Sequence, residues 1–213
     1  MKLLRVFVIT ILLLVISQAA SAQVYDAVKD WSIQSNPNGV WSYGYLTSWG
    51  TPFTFYTWGG TEGCTPGTSA WQEPPGCGSP SPVISHNDTH KTICGTTWCI
   101  LPSYLGVGPG PNCELTVTRW TAPSAGRFVM RAKFVGLDWY FPTSTYVYVL
   151  RDSKRVLLQA SITSYEQPLS FDPEPLRLSA GSTIDLIVGC GKDNSYIGDS
   201  TGVELKIWSL EKD

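Results

Sequence analysis

The stretch NCELTVTRWTAPSAGRFVMRAKFV, residues 112–135, decides the fold class. Over residues 114–120 large or β-branched side chains alternate with polar ones. Over residues 127–135 Phe128, Met130, Ala132 and Phe134 fall on one face, with Arg127, Arg131 and Lys133 on the other. A repeat of two is the period of a strand, because successive Cβ atoms point to opposite faces, whereas a helix repeats every 3.6 residues. Between the runs, Ala122-Pro123-Ser124-Ala125-Gly126 combines a proline of fixed φ with a glycine free to take positive φ. The chain is therefore expected to reverse there and the two strands to pair as a hairpin.

Working outward, the same period recurs. Downstream, Tyr146, Tyr148 and Leu150 alternate with Val147 and Val149, and Arg151-Asp152-Ser153-Lys154 turns the chain into residues 156–160 as a second hairpin. Leu169-Ser170-Phe171 and Leu176-Arg177-Leu178 flank Pro173 and Pro175, which excludes a central strand there. Ile184, Leu186 and Val188, and then Val203, Leu205 and Ile207, mark two further inward-facing sets. Upstream, residues 30–33 are the expected first strand, Asn36-Pro37-Asn38-Gly39 is a turn, and residues 41–46 and 53–58 are aromatic-rich strands. Residues 59–82, rich in Gly, Pro, Ser and Thr, read as one long loop, followed by a short strand at residues 83–85 and a tight Gly/Pro approach at residues 105–111. No helical period follows residue 22. Many short strands with regular turn signals define an all-β chain, a two-sheet antiparallel β-sandwich of jelly-roll type.

The amino terminus has a different character. Lys2 and Arg5 precede an apolar run over residues 6–16 and the small-x-small pattern Ala20-Ser21-Ala22, so residues 1–22 read as a secretory signal peptide and residues 23–213 as a single domain. The run is shorter than the about 20 residues a membrane-spanning helix requires. Without Lys2 and Arg5, the 15 basic residues fall to 13 against 17 acids, a net −4, which makes nucleic acid an unfavourable partner. The product is expected to be secreted, extracellular or periplasmic in a Gram-negative host, with no membrane span.

Six cysteines, Cys64, Cys77, Cys94, Cys99, Cys113 and Cys190, follow the signal, and an even count in an oxidising compartment argues for three disulfides. Sequence alone leaves fifteen pairings open. Cys64 with Cys77 and Cys94 with Cys99 would each close a short loop, leaving Cys113 with Cys190 as the long-range bridge. A metal site from Cys94, Cys99, His86 and His90 is the competing reading of the same residues. Asn87-Asp88-Thr89 forms an N-glycosylation sequon.

Asn36-Pro37-Asn38-Gly39-Val40-Trp41-Ser42-Tyr43-Gly44-Tyr45, Gly108-Pro109-Gly110-Pro111-Asn112, Val117-Thr118-Arg119-Trp120-Thr121-Ala122-Pro123 and Asp199-Ser200-Thr201-Gly202 occur in an order and spacing that resembles a family of secreted bacterial β-sandwich proteins of unassigned function. Many of its members carry a PEP-CTERM sorting tail. The resemblance spans nearly the whole mature chain and implies a jelly-roll domain similar to carbohydrate-binding modules, with no established catalytic residues. Ser209-Leu210-Glu211-Lys212-Asp213 carries no Pro-Glu-Pro motif, so sorting by that tail is not expected, and six cysteines depart from the family pattern. The resemblance also implies a structural calcium ion tying an early strand to the loop before the last strand, with Asp30, Asp199 and Asp193 as ligands and Asn194 nearby; calcium favours such oxygen donors.

Five of the nine tryptophans precede residue 72. Flat rings stack on the apolar C–H faces of sugars, while phenol and indole groups donate hydrogen bonds. Trp49, Trp58, Trp71, Tyr45 and Tyr56 are accordingly the candidate carbohydrate-binding residues, whereas Trp41, Tyr43 and Phe55 are expected in the core. Catalytic signatures are missing: there is no Gly-x-Ser-x-Gly and no His-Glu-x-x-His, and Asp138, Glu166, Asp172 and Glu174 are not placed across one cleft by any spacing. The expected activity is non-catalytic recognition of an extracellular or cell-wall polysaccharide. The alternative is a structural or adhesive matrix subunit that buries the same aromatics by self-association.

Overall fold

The computed structural model describes residues 23–77 and 80–210; the expected signal peptide, residues 1–22, and the last three residues lie outside them. Among the described residues the regular elements are all strands. In chain order they are β1 (Val24–Asp26), β2 (Trp41–Leu46), β3 (Thr54–Phe55), β4 (Trp58–Gly60), β5 (Thr68–Gln72) and β6 (Val83–Asn87). Next come β7 (Ile93–Cys94), β8 (Cys99–Ile100), β9 (Leu105–Gly108), β10 (Leu115–Thr121), β11 (Gly126–Gly136) and β12 (Thr145–Arg151). The series ends with β13 (Arg155–Ile162), β14 (Pro168–Phe171), β15 (Leu176–Leu178), β16 (Thr183–Gly189) and β17 (Thr201–Leu210).

The larger sheet runs β14-β11-β17-β9-β6-β5-β4, with β1 added to β17 and β15 to β11; the smaller runs β13-β12-β16-β10-β2-β3. Their pairings are antiparallel throughout and the sheets pack as a sandwich of jelly-roll type. The inward residues match the alternation in the sequence. Phe128, Met130, Ala132 and Phe134 of β11 and Val203, Leu205 and Ile207 of β17 meet Trp41 and Tyr43 of β2, Trp120 of β10 and Ile184, Leu186 and Val188 of β16 in one buried cluster.

One expectation changes at the centre. Both runs of the 112–135 stretch are strands, but they do not pair: β10 lies between β16 and β2 in the smaller sheet, while β11 pairs with β17, β14 and β15 in the larger. The intervening turn therefore crosses the edge of the sandwich. Ala122 is held by its N–H to Ser182 O and by its O to Gly181 N, both 2.8 Å, which anchors the crossing to the turn before β16. Trp120 and Phe128 then face each other from opposite sheets, ring centroids 5.1 Å apart and edge to face. Period two identifies a strand; it does not say which sheet the strand joins.

The second hairpin stands, with β12 and β13 paired across residues 152–154. Residues 30–33 are not a strand; the first is β1, whose Tyr25 pairs with Ile207. Residues 59–82 are not one loop either, because β5 lies within them and is buried along its whole length between β4 and β6. The proline-flanked segments form β14 and β15, both laid along the outer side of β11.

The three disulfides are Cys64–Cys77, Cys94–Cys99 and Cys113–Cys190, with sequence separations of 13, 5 and 77. With Cys94 and Cys99 bonded to each other, the competing thiolate metal site is removed. His86 instead stacks on Trp31, 5.6 Å between centroids, and its Nδ1 lies 2.7 Å from Asp88 Oδ1. The sequon asparagine is also consumed: Asn87 is buried and its Nδ2 donates to Lys91 O and Ile100 O, so the folded chain offers no amide for a glycan.

Candidate functional site

The alternation that buries Trp71, Ile84, Leu105 and Val107 in the core turns Thr68 and Gln72 of β5, Val83 and Ser85 of β6, and Gly106 and Gly108 of β9 to the outer face of the larger sheet. Over this face the chain builds walls. One is the loop pinned by Cys64–Cys77, a second is the tight turn between β7 and β8 that carries Trp98, and a third is the segment before β17 that carries Tyr196 and Ser200. They enclose a cavity of about 260 Å³. Gly106 is where the β7–β8 turn comes down on the sheet, since a Cβ there would stand 2.5 Å from Ile100 Cδ1.

The chemistry of the lining is distinctive. Trp98 and Tyr196 supply rings, while Thr65, Thr68, Gln72, Ser81, Ser85 and Ser200 supply hydroxyl or amide groups. Among the described residues no charged side chain lines the cavity. Gln72 Nε2 is tied to Pro74 O and Gly76 O, which fixes the amide and the second half of the disulfide loop together. Ser81 Oγ is buried without a hydrogen-bond partner. A buried hydroxyl left unpaired costs about 1–3 kcal/mol, so it is a group poised for a partner.

Of the five aromatic residues expected to hold sugar, none lines this cavity. Trp71 and Tyr56 are core residues: Trp71 stacks on Tyr43 and sends its Nε1 to Ser32 O, and Tyr56 is 1% exposed. Burial pushes the Tyr56 phenol well above its usual range, against a partly offsetting hydrogen bond from its hydroxyl to Thr116. Tyr45 is half-buried and stacks on Tyr56; Trp58 is half-buried and lies over Gly60. Trp49 is 52% exposed, but it sits on the outer face of the smaller sheet against Tyr148, beside a recess of only about 80 Å³. The five are thus scattered rather than gathered. Phe55, expected in the core, is 44% exposed on β3.

The expected calcium ligands divide in the same way. Asp30 Oδ2 accepts from Asp26 N and Trp41 Nε1 beside β1, whose Asp26 pairs with Lys206 midway along β17, whereas Asp199 lies just before the Thr201 end of that strand. Asp199 and Asp193 do meet, at Ser144. Asp199 Oδ1 accepts from Ser144 N and Thr145 Oγ1, Asp193 Oδ1 accepts from Ser144 Oγ, and Asp199 Oδ2 is buried with no partner. Burial raises the Asp199 carboxyl, partly offset by Ser144 N and Thr145, while the Ser144 hydroxyl lowers Asp193. Among the described residues no three His, Cys, Asp or Glu side chains form a metal-holding group. The orphaned Oδ2 fits one ligand position; the trio with Asp30 does not form.

The fold and this cavity define an all-β sandwich with a small, uncharged, ring-bearing pocket on its outer face. No family model matches the chain, and no curated protein does. Solved structures similar to it include a family 35 carbohydrate binding module from an environmental isolate, 14% identical with a TM-score of 0.33 over 68% of this chain and 98% of that one. A Podospora anserina GH26-CBM35 β-(1,4)-mannanase is 10% identical with a TM-score of 0.34; it covers 69% of this chain, which spans only 29% of the mannanase. Rabbit GITRL is 15% identical with a TM-score of 0.30 over 45% of this chain and 73% of that one.

Proposed function

We propose that this chain is an exported, non-catalytic carbohydrate-binding protein and that its sugar site is the cavity under the Cys64–Cys77 and Cys94–Cys99 loops. The observation that carries this reading is the lining: two aromatic rings, six hydroxyl or amide side chains and no charge around about 260 Å³. That combination matches a sugar, which offers apolar ring faces and hydroxyls and carries no charge unless it is modified. The volume lies just below the range for drug-sized ligands, so one sugar ring is enclosed rather than a chain laid flat. Disulfide-pinned walls limit the ordering cost of binding.

Calcium belongs to this reading as a structural ion at the Asp193–Asp199 corner, with Asp199 Oδ2 as the available donor and Asp30 taking no part. It would tie the segment before β17, and with it Tyr196, to the start of β12.

The test is a tryptophan-fluorescence titration of the oxidised mature protein with glucose, mannose and their neutral α- and β-linked trisaccharides. A saturable shift is expected, abolished in Trp98→Ala and retained in Trp49→Ala. Silence across the panel, or loss in Trp49→Ala with Trp98→Ala unaffected, contradicts the assignment. Self-association through exposed aromatics would instead show as concentration-dependent sedimentation without a sugar response.

A further inference from the structure

Beside the cavity lies a surface that the cavity itself does not account for. Residues 139–141 are three consecutive aromatics, and all are exposed: Trp139 by 51%, Tyr140 by 65% and Phe141 by 39%, with Ile197 next to them at 48%. Their rings interlock edge to face, Trp139 with Tyr140 at 5.8 Å and Tyr140 with Phe141 at 4.9 Å. Burying large apolar rings is the largest favourable term available to them, so leaving three in water marks a surface with a partner.

The loop is held rigidly. Asp138 Oδ1 accepts from both Tyr140 N and Phe141 N, Trp139 N donates to Thr97 O at 2.8 Å, and Leu137 N donates to Ser200 O at 2.8 Å. From the other side Gly198, at φ +86°, packs so tightly that a Cβ would lie 2.9 Å from Phe141 Cβ. These anchors border the cavity. Leu137 and Ser200 line it, Thr97 precedes the lining residue Trp98, and Gly198 follows the lining residue Tyr196 by two positions. From Leu137 to Trp139 the chain spans at most about 7 Å.

We infer that the pocket and the aromatic loop are one continuous site that takes a neutral glycan chain by its end, with the terminal ring in the pocket and the next ring in the corner between the perpendicular rings of Trp139 and Tyr140, stacked on one and edge-on to the other. This rests on the carbohydrate reading of the pocket and adds to it the charge class and the second subsite. The second subsite follows from proximity: Leu137 lines the pocket, and Trp139 stands two residues further along, its N–H bonded to the O of Thr97, the neighbour of the lining residue Trp98. Neutrality follows from the uncharged lining, because an acidic sugar buried there would leave its carboxylate without a cationic partner. Rigidity favours a preformed aromatic surface over a loop that inserts into a lipid bilayer, and the expected net −4 of the mature chain disfavours an anionic membrane.

The experiment compares wild type, Trp139→Ala, Tyr140→Ala and Trp98→Ala by calorimetric titration with a neutral monosaccharide, disaccharide and trisaccharide of one linkage, and with the corresponding uronic-acid disaccharide. Vesicles of zwitterionic phosphatidylcholine form a separate arm. The expected result is a gain of about tenfold in affinity from monosaccharide to disaccharide, the size of one aromatic contact. That gain should be lost in Trp139→Ala or Tyr140→Ala while monosaccharide affinity is unchanged, and the uronic-acid ligand should bind more weakly. Trp98→Ala should lose binding of every length. Equal affinity for all lengths, or rim variants identical to wild type, overturns the second subsite and leaves the pocket reading standing. No binding by wild type overturns both. Vesicle binding lost in the rim variants overturns the glycan assignment of the loop in favour of a lipid surface.

Discussion

At the scale of single residues, the pocket trades stability for reach. Ser81 keeps a hydroxyl buried without a partner, which should cost about 1–3 kcal/mol. Ser81→Ala is therefore expected to leave the protein as stable as wild type or more so by urea unfolding, and to weaken sugar binding; a clear loss of stability would assign the hydroxyl a structural bond instead. Trp71 behaves oppositely. Trp71→Ala should cost about 3–5 kcal/mol, as large-to-small changes in a core do, whereas exposed Tyr140→Ala should fall within about 0.5 kcal/mol of wild type. Asp199 gives a pH signature. Burial raises its folded carboxyl above the unfolded value, so its contribution favours the folded state at low pH and is lost as pH rises through the folded pKa. Asp199→Asn, measured in EDTA, should raise the melting temperature near neutral pH and lose that advantage in acid; a constant offset at every pH would contradict the assignment.

Residue roles were legible where local chemistry decided them. Trp49, a candidate sugar-binding residue beside Gly50 and Pro52, stands 52% exposed. Trp71 also sits near prolines, but a strand hidden in Gly- and Ser-rich sequence carries it inward, and Ala70-Trp71-Gln72 is too short a run to declare its period. The site residues that were missed had signals of their own. Trp98 is one of the four residues between Cys94 and Cys99, too tight a loop to bury a large ring fully. Trp139-Tyr140-Phe141 cannot all face one side of an extended chain, so exposure of at least one was implied. Ser81 and Gln72 had no such signal, because their partners are set by where loops distant in sequence come to rest.

At the scale of elements, the strands from residue 115 on were readable, β1 and β5 were not, and pairing was legible only in part. The hairpin β12–β13 is local and was found, while the β10-to-β11 crossing depends on Ser182 and Gly181, some sixty residues away, which no local pattern reports. The disulfides test the division of labour. Cys113–Cys190 ties the neighbouring strands β10 and β16 across a separation of 77 residues, and its removal as the double serine variant should cost about 4 kcal/mol in the chain-entropy account. Cys94–Cys99 closes only 5 residues, so its loss should cost less stability and more sugar affinity, through a loosened Trp98. Equal effects of the two on affinity would argue against the turn between β7 and β8 as a wall of the site. Strand β17 carries the acid sensitivity. Burial acts to raise Glu204, but Lys206 at 2.8 Å and Lys133 of β11 at 3.3 Å outweigh it and hold the carboxyl below its usual range. That stabilisation is present above the unfolded carboxylate range and is lost as pH falls through the folded pKa. Glu204→Gln should flatten the decline of melting temperature in acid, and an unchanged acid profile would contradict this.

At the scale of the whole molecule, two sheets supply a rigid core and the proposed site sits on one outer face, in loops that the disulfides hold in place. The sequence pattern was sufficient for this architecture because burial on one face forces a period of two. It was insufficient for the site because the cavity is built from five separated segments that only the finished sandwich brings together. A calcium ion at the Asp193–Asp199 corner would bind only the folded chain. Millimolar Ca²⁺ should then raise the melting temperature of wild type and not of Asp199→Asn, and an identical response in both would remove calcium from the account.

The central claim is the location of the sugar site, and hydrogen–deuterium exchange on the oxidised mature protein with and without a saturating neutral trisaccharide tests it most directly. Protection is predicted at residues 63–68, 96–101, 137–141 and 195–200, with residues 47–56 unchanged. Protection confined to residues 47–56, around Trp49 and the outer face of the smaller sheet, would contradict it.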